Sequence, residues 1–489
     1  MTRLKIKYAL AIFCLIATSC KHEPANPAIT YGGNYPDDVA KIILNKCATA
    51  GCHNNASHTG AGGLNLTTWD KLFEGGNTGA VVIPYRPDFS TLCFYTNTDT
   101  SMGVSLVPTM PVNKEPLSKS EYLILKNWIE SGAPDASGRI KFADNPYRKK
   151  IYVANQLCDV VTVFDAATRL QMRYIDMGNK VATEFPRAIK VSPDKKHWYV
   201  SFFINTDIIQ KFSAIDDRLV GEINIGSGSW TSFEITSDSK FGFFVDNNNP
   251  GKVAYVDLEH MQLLATYTVG GKFRYPSGIA INEEFKNIYV GNTNGNYIYT
   301  IDITDPLHPA IKELIIDGST SLLYNPSIDP TDLLTDTATG YCYIACTGSS
   351  EIKVVNMNSD VVIHTIPIGS SPAYMSLSSS SKKLFVTCPN DVISFPGNSG
   401  SVVIIDIESN TVLKRINTGY QPFGIAVDDQ SKIVTVVNAN LSPDGNAPHH
   451  TTNCGGRNGN VTFIDMATME LIPFLRSEVA VYPYGAAVR

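Results

Sequence analysis

The chain has 489 residues and a formal net charge of −6. That length accommodates two or more domains, and the near balance of charge gives no electrostatic pull toward nucleic acid or an anionic membrane. Charged residues make up only 18%, with 36 Gly and 27 Pro, a composition better suited to a β-rich exported protein than to a helical cytosolic enzyme.

Residues 1–19 read as a signal peptide. Arg3, Lys5 and Lys7 precede an apolar run from Tyr8 to Ala17, which is short for a permanent membrane span. The run ends Leu15-Ile16-Ala17-Thr18-Ser19-Cys20 and resembles the lipobox of bacterial lipoproteins, with Cys20 as the acylated first residue. Acyl chains on that terminus hold a protein on a membrane without a spanning helix. The alternative is an ordinary cleaved signal with a coincidental cysteine. Residues 20–33, with Pro24, Pro27, Gly32 and Gly33, read as a tether.

The next segment carries Cys47-Ala48-Thr49-Ala50-Gly51-Cys52-His53. Covalent attachment of a c-type haem needs two neighbouring thiols to form thioethers and an adjacent imidazole to ligate the iron. Four residues separate these cysteines where two are usual. A Cys47–Cys52 disulfide with His53 at the surface is the competing reading, while zinc lacks a second Cys/His pair at structural spacing.

The motif has company. Asp37 to Lys46 places Val39, Ile42 and Ile43 as a short amphipathic helix. After the motif come Gly62-Gly63-Leu64-Asn65-Leu66 and the loop Pro108-Thr109-Met110-Pro111. A helix from Leu117 to Gly132 then opens with a capping box, Ser118 and Glu121, and shows Tyr122, Leu125 and Ile129 on one face. Residues 34–136 thereby resemble the small planctomycete-type cytochrome c domain. The resemblance implies an all-α domain with one covalent haem c, Cys47 and Cys52 attaching it. It further implies His53 as proximal and Met110 as distal iron ligand, with Met102 and His58 as competitors for the distal place.

Residues 137–147 read as a polar linker. From 148 to 489 the chain repeats itself: Phe185, Tyr275, Ser371 and Gln421 each open an X-Pro step, an alternating apolar strand, a polar turn and a second strand. The prolines, with Trp230 in one equivalent place, fall at 186, 230, 276, 326, 372, 422 and 483. Intervals of roughly 44–61 residues with four short strands per unit are a propeller pattern. The resemblance is to the YVTN-type seven-bladed β-propeller, and the segment Tyr482 to Arg489 is expected to complete the blade begun at Ile151. The expected fold is therefore multidomain: a small all-α cytochrome c-like domain followed by an all-β seven-bladed propeller.

Long insertions at Pro389–Gly400 in blade 6 and Ala439–Gly459 in blade 7 mark one rim as a candidate binding face, with His449, His450 and Arg457 as its site residues. The alternative is that these loops only pack over the channel mouth. Cys158 and Cys454 become neighbours on ring closure, so a disulfide is feasible outside the cytoplasm. Cys346 and Cys388 sit too far apart for one, and Cys93 and Cys342 read as small buried residues.

No catalytic residues are assigned, since the propeller shows no second cofactor motif and no acid/base pair. The expectation is an exported, lipid-anchored electron-transfer or redox-sensing protein, on the periplasmic or cell-surface side of a bacterial membrane. Its partner would be a redox protein or a small electron donor or acceptor, and nucleic acid is not expected. Two alternatives stand: a propeller oxidoreductase or lactonase-like enzyme with the haem as electron outlet, and a non-redox surface-binding propeller.

Overall fold

From Lys150 to Val488 the chain lays down seven antiparallel sheets of four strands each. The computed structural model describes residues 32–489 apart from 180, 181, 272, 285 and 453, and gives no side-chain surroundings for 269, 474 and 475. Cys14, Cys20, the expected signal and nearly all of the expected tether lie outside the described residues. Blades 2 to 7 use four consecutive strands each. Blade 1 is different, because its strands Lys150–Asn155, Val160–Asp165 and Leu170–Asp176 receive their innermost neighbour, Pro483–Val488, from the end of the chain. Ile151 pairs with Val488, Tyr152 with Ala487 and Val153 with Ala486, so the ring closes without an open inner edge.

One local device recurs at the start of the inner strands. Phe185, Tyr275, Asp329, Gln421 and Tyr482 adopt φ between 42° and 58°, and each is followed by a proline that begins a strand. Proline is tolerated there because the first residue of an inner strand need not donate to the ladder. Blade 5 corrects the sequence reading: its inner strand starts at Pro330, not at Pro326. Asn325 Oδ1 accepts the Ser327 N–H at 3.0 Å, so Pro326 is spent on a side-chain-capped turn ahead of the strand. Around the central channel the inner strands approach closely. A Cβ at Gly424 would stand 2.2 Å from the Tyr484 carbonyl oxygen, and one at Gly485 2.3 Å from that of Arg187.

Ahead of the ring lies a helical module. Helix α1 (Asp37–Ile42) runs into a single wider π-turn, Ile43–Cys47; α2 (Trp69–Leu72), α3 (Thr91–Thr96) and α4 (Lys119–Glu130) follow. The capping box at Ser118 and Glu121 is formed in full, and Glu121 also pairs with Lys46 at 2.8 Å, tying α4 to the turn before Cys47. Trp69 is fully buried and donates its indole N–H to the Ala133 carbonyl at 2.9 Å.

The segment 137–147 is packed against the module. Buried Asp135 accepts from Ser137, Arg139 and Asn34, and Phe142 meets Phe73 edge-on. One apolar cluster runs from Tyr35, Trp69 and Trp128 through Phe142 into Tyr152, Val161 and Trp198 of the propeller. Among the described residues, no helix is long and apolar enough to cross a membrane.

Candidate functional site

The π-turn delivers Cys47 into the module's interior, while Cys52 and His53 sit half-buried on the loop that follows. Both cysteines are free thiols. Backbone bonds tie the loop back on itself: Ala48 N–H to Ile43 at 2.8 Å, Cys52 N–H to Thr49 at 3.0 Å and His53 N–H to Cys47 at 3.2 Å. Lys114 Nζ reaches Thr49 Oγ1 at 3.0 Å, bringing the segment after Met110 onto the same loop.

The Gly-Gly-Leu-Asn-Leu stretch supplies the support for His53. Gly62 and Gly63, both at positive φ, turn the chain so that Leu64 offers its carbonyl 3.2 Å from His53 Nδ1. Leu66 N–H returns a bond to the His53 carbonyl at 2.8 Å. With the Nδ1 hydrogen donated to Leu64, Nε2 keeps its lone pair for a metal, the arrangement that fixes tautomer and ring orientation in metal-binding histidines. Burial holds His53 below the ordinary histidine value, against the pull of the Leu64 and Ala61 carbonyls. A neutral imidazole is what iron ligation needs. Burial, reinforced by the neighbouring Cys52, pushes the Cys47 thiol up to about 12.

Leu44, Ala48, Leu64, Val104 and Leu106 pack as half-covered apolar side chains against the cluster that contains Cys47. The donor set, the free Nε2 and this apolar wall fit a porphyrin. Cys47 and Cys52 would hold its edge and His53 its iron, and the group would supply one reversible electron. Met110 is half-buried, its N–H on the Tyr95 carbonyl at 2.7 Å. Met102 packs against the apolar cluster and lines a cavity of about 290 Å3 with Cys93, Phe94 and Tyr122. His58 is half-buried, in a short turn, with Nδ1 3.2 Å from the Asn55 carbonyl.

The blade-7 insertion is where the module sits. Tyr95 donates its hydroxyl to the His449 carbonyl at 2.6 Å, and the Phe94 and His450 rings lie 6.0 Å apart. His450 Nδ1 stands 2.8 Å from Glu478 Oε2, and Glu478 also accepts the backbone N–H groups of His449 and His450. Burial raises the Glu478 carboxyl, but these contacts outweigh it and hold the group below its ordinary value. On blade 1, Phe89 stacks on Tyr174 at 4.1 Å and Arg86 donates to the Tyr174 carbonyl at 2.7 Å. Gln171 bridges both sides, donating to the Glu478 carbonyl at 2.6 Å and accepting from Ala80 N–H at 2.9 Å.

His449, exposed, and His450, half-buried, thus both meet the helical module. Arg457 donates to the carbonyls of Gly445 and Asn446, the latter at 2.8 Å, and so braces its own loop. A Cys158–Cys454 disulfide, with Cα atoms 5.2 Å apart, fastens that loop to blade 1. In the blade-6 insertion, Asp391 is taken up by Arg415 at 2.9 Å and by Ser401. Cys93, Cys342, Cys346 and Cys388 are free and buried. Among the described residues no three His, Cys, Asp or Glu side chains converge as a metal site.

Tyr95, Gln171 and Glu478 went unmarked in the sequence. The Tyr95–His449 and Gln171–Glu478 pairs are separated by 354 and 307 residues, and no periodicity connects them.

A helical module presenting a Cys/Cys/His loop, seated on a closed ring of seven blades, defines a fusion of a cytochrome c-like domain and a β-propeller. Residues 50–103 match the family model described as Planctomycete cytochrome C, a span that includes Cys52, His53 and the Gly-Gly-Leu-Asn-Leu support but begins after Cys47. The module is thus similar, over residues 50–103, to the planctomycete cytochrome c family, and the ring that follows is a seven-bladed propeller. The uncharacterized protein YncE of Salmonella typhimurium is 25% identical over 181 residues, 37% of this chain and 46% of that protein; YncE of Salmonella typhi matches equally. The chain spans just under half the length of these curated relatives. A functionally unknown protein from Desulfotomaculum acetoxidans has the same fold, with a TM-score of 0.52 and 13% identity, over 69% of this chain and 98% of that one.

Proposed function

We propose that the protein is an exported one-electron carrier in which Cys47 and Cys52 hold a single haem c through thioethers. In this reading His53 is its proximal ligand, Met110 its distal ligand, and the propeller is the scaffold that seats the module and meets the redox partner. The observation that carries the proposal is the His53–Leu64 contact beside two free thiols, which leaves Nε2 available in a neutral ring. The module's remaining task is burial: the apolar side chains around Cys47 keep water from the iron's surroundings and so raise its potential together with a thioether ligand. Residues 1–19 direct export and Cys20 carries the lipid anchor, so the carrier works in the cell envelope with a redox protein or a small donor or acceptor.

Haem staining after a denaturing gel tests the attachment. The wild-type chain retains stain at one iron per chain, and Cys52→Ala loses or weakens it. Stain at the wild-type level in the Cys47→Ala/Cys52→Ala double variant contradicts the proposal. Cys20→Ser is expected in the soluble fraction; membrane retention after salt washing would remove the anchor from the account.

A further inference from the structure

A groove runs along the outermost strand of blade 7, Glu470–Val481, beneath the module's Gly75–Thr78 loop. Two cavities open along it, of about 410 and 580 Å3, and they share Asn77 and Arg476. The smaller has no carboxylate in its walls: Asn398, Asn417, Asn446 and Arg476 are among its polar groups, with Asn77 and two threonines, over an apolar patch of Leu471, Ile472 and Pro473. The larger is walled by Tyr95, Val107 and Pro108, the start of the loop that carries Met110. Its single carboxylate, Glu478, is already engaged by His449 and His450.

Arg476 is half-buried, its backbone is paired opposite Thr462, and its guanidinium makes no hydrogen bond or ion pair with any described residue. Desolvation lowers its pKa, opposed only by the field of Glu478. A guanidinium withdrawn from water without an anion is costly unless a ligand completes it. The side-chain amide nitrogens of half-buried Asn398 and Asn417 and of exposed Asn446 donate to no described residue.

We propose that this groove binds a small hydroxylated carboxylate of the sugar-acid class, Arg476 taking the carboxylate and the three asparagines the hydroxyl groups. The charge count selects the class. A planar fork matches one carboxylate in two bonds, whereas a phosphate dianion calls for more than the single Lys or Arg side chain these walls contain. Side-chain amides both donate and accept, as hydroxyl recognition requires. The groups assigned to the ligand, Arg476 and the three asparagines, are propeller residues, although module residues complete the walls.

The test is calorimetric titration of the full-length holoprotein with D-glucuronate, D-glucose and inorganic phosphate. Glucuronate is expected to bind, with glucose and phosphate weaker by about tenfold or more. Arg476→Gln should weaken glucuronate roughly ten- to a hundredfold with an unchanged haem spectrum and melting curve. Asn417→Ala is the second variant and should weaken it several-fold. Absence of glucuronate binding, equal affinity for glucose, or unchanged binding by Arg476→Gln overturns the proposal. So does an Arg476→Gln variant whose haem potential shifts while glucuronate binding is unchanged, since Arg476 would then serve a haem carboxylate.

Discussion

In the propeller one solution is written repeatedly: a left-handed residue, a proline, an inner strand, and, at Gly424 and Gly485, a glycine where the strand meets its neighbour. In the module each device has its own task. A π-turn buries Cys47, the Gly62-Gly63 turn aims one carbonyl at His53, and a capping box starts the closing helix. Repetition makes the ring tolerant of a degenerate copy, as Trp230 shows by opening its strand without proline. The module has no second copy to fall back on. Chemistry therefore concentrates where each residue is used once, and mechanical support where residues are interchangeable. The seam joins the two regimes at blade 1, whose strands come from both ends of the propeller, and at blade 7, whose insertion is stapled to blade 1.

The sharpest way to break that contrast is to remove the one propeller strand that has no substitute. Deleting Tyr482–Arg489 strips blade 1 of its inner strand and leaves unpaired backbone groups along Ile151–Asn155. Loss of solubility or of cooperative unfolding is expected by circular dichroism and size exclusion. Deleting residues 24–31 should do neither, and equal behaviour of the two truncations would dissolve the closure.

In the module, Met110→Ala should lower the haem potential and shift its spectrum in a redox titration, because a soft thioether is lost. The same result from Met102→Ala, with Met110→Ala silent, moves the ligand to Met102.

The seam should respond more gently. Cys158→Ser opens a staple between residues 296 positions apart and is expected to cost about 2–4 kcal/mol in denaturant melting under oxidising conditions. A reductant should reproduce the loss in the wild type.

Smallest is Glu478→Gln, which removes the charge facing His450 and should cost about 1–3 kcal/mol. The folded Glu478 pKa lies below its unfolded value near 4.5. Its contribution is therefore complete above that value and lost as pH falls through the folded one. Wild-type stability should decline below about pH 4.5 more steeply than that of Glu478→Gln, as followed by thermal melting across pH.

How much could be read beforehand follows the same division. The blade count and the closing strand were legible because period and alternation survive sequence drift. Pro326 misled, since Asn-Pro and Asp-Pro look alike until Asn325 is seen to cap its own turn and Asp329 to take the left-handed backbone that precedes the proline-led starts. The motif Cys47, Cys52 and His53 was legible as a spacing, and the Gly-Gly-Leu-Asn-Leu stretch as a resemblance. The hydrogen bond that connects them was not. His449 and His450 were legible as residues of a long insertion, but their contacts with Tyr95 and Glu478 were not. Arg476 gave no signal: a lone arginine in a strand looks solvated until its partners prove missing.

The account rests on a redox-active haem in the helical module. A reduced-minus-oxidised absorption spectrum of the purified full-length chain tests it most directly. The prediction is a reversible c-type difference spectrum at one haem per chain, absent from the Cys47→Ala/Cys52→Ala variant. A colourless wild-type protein from a host competent in haem attachment, or a spectrum unchanged in that variant, would contradict it.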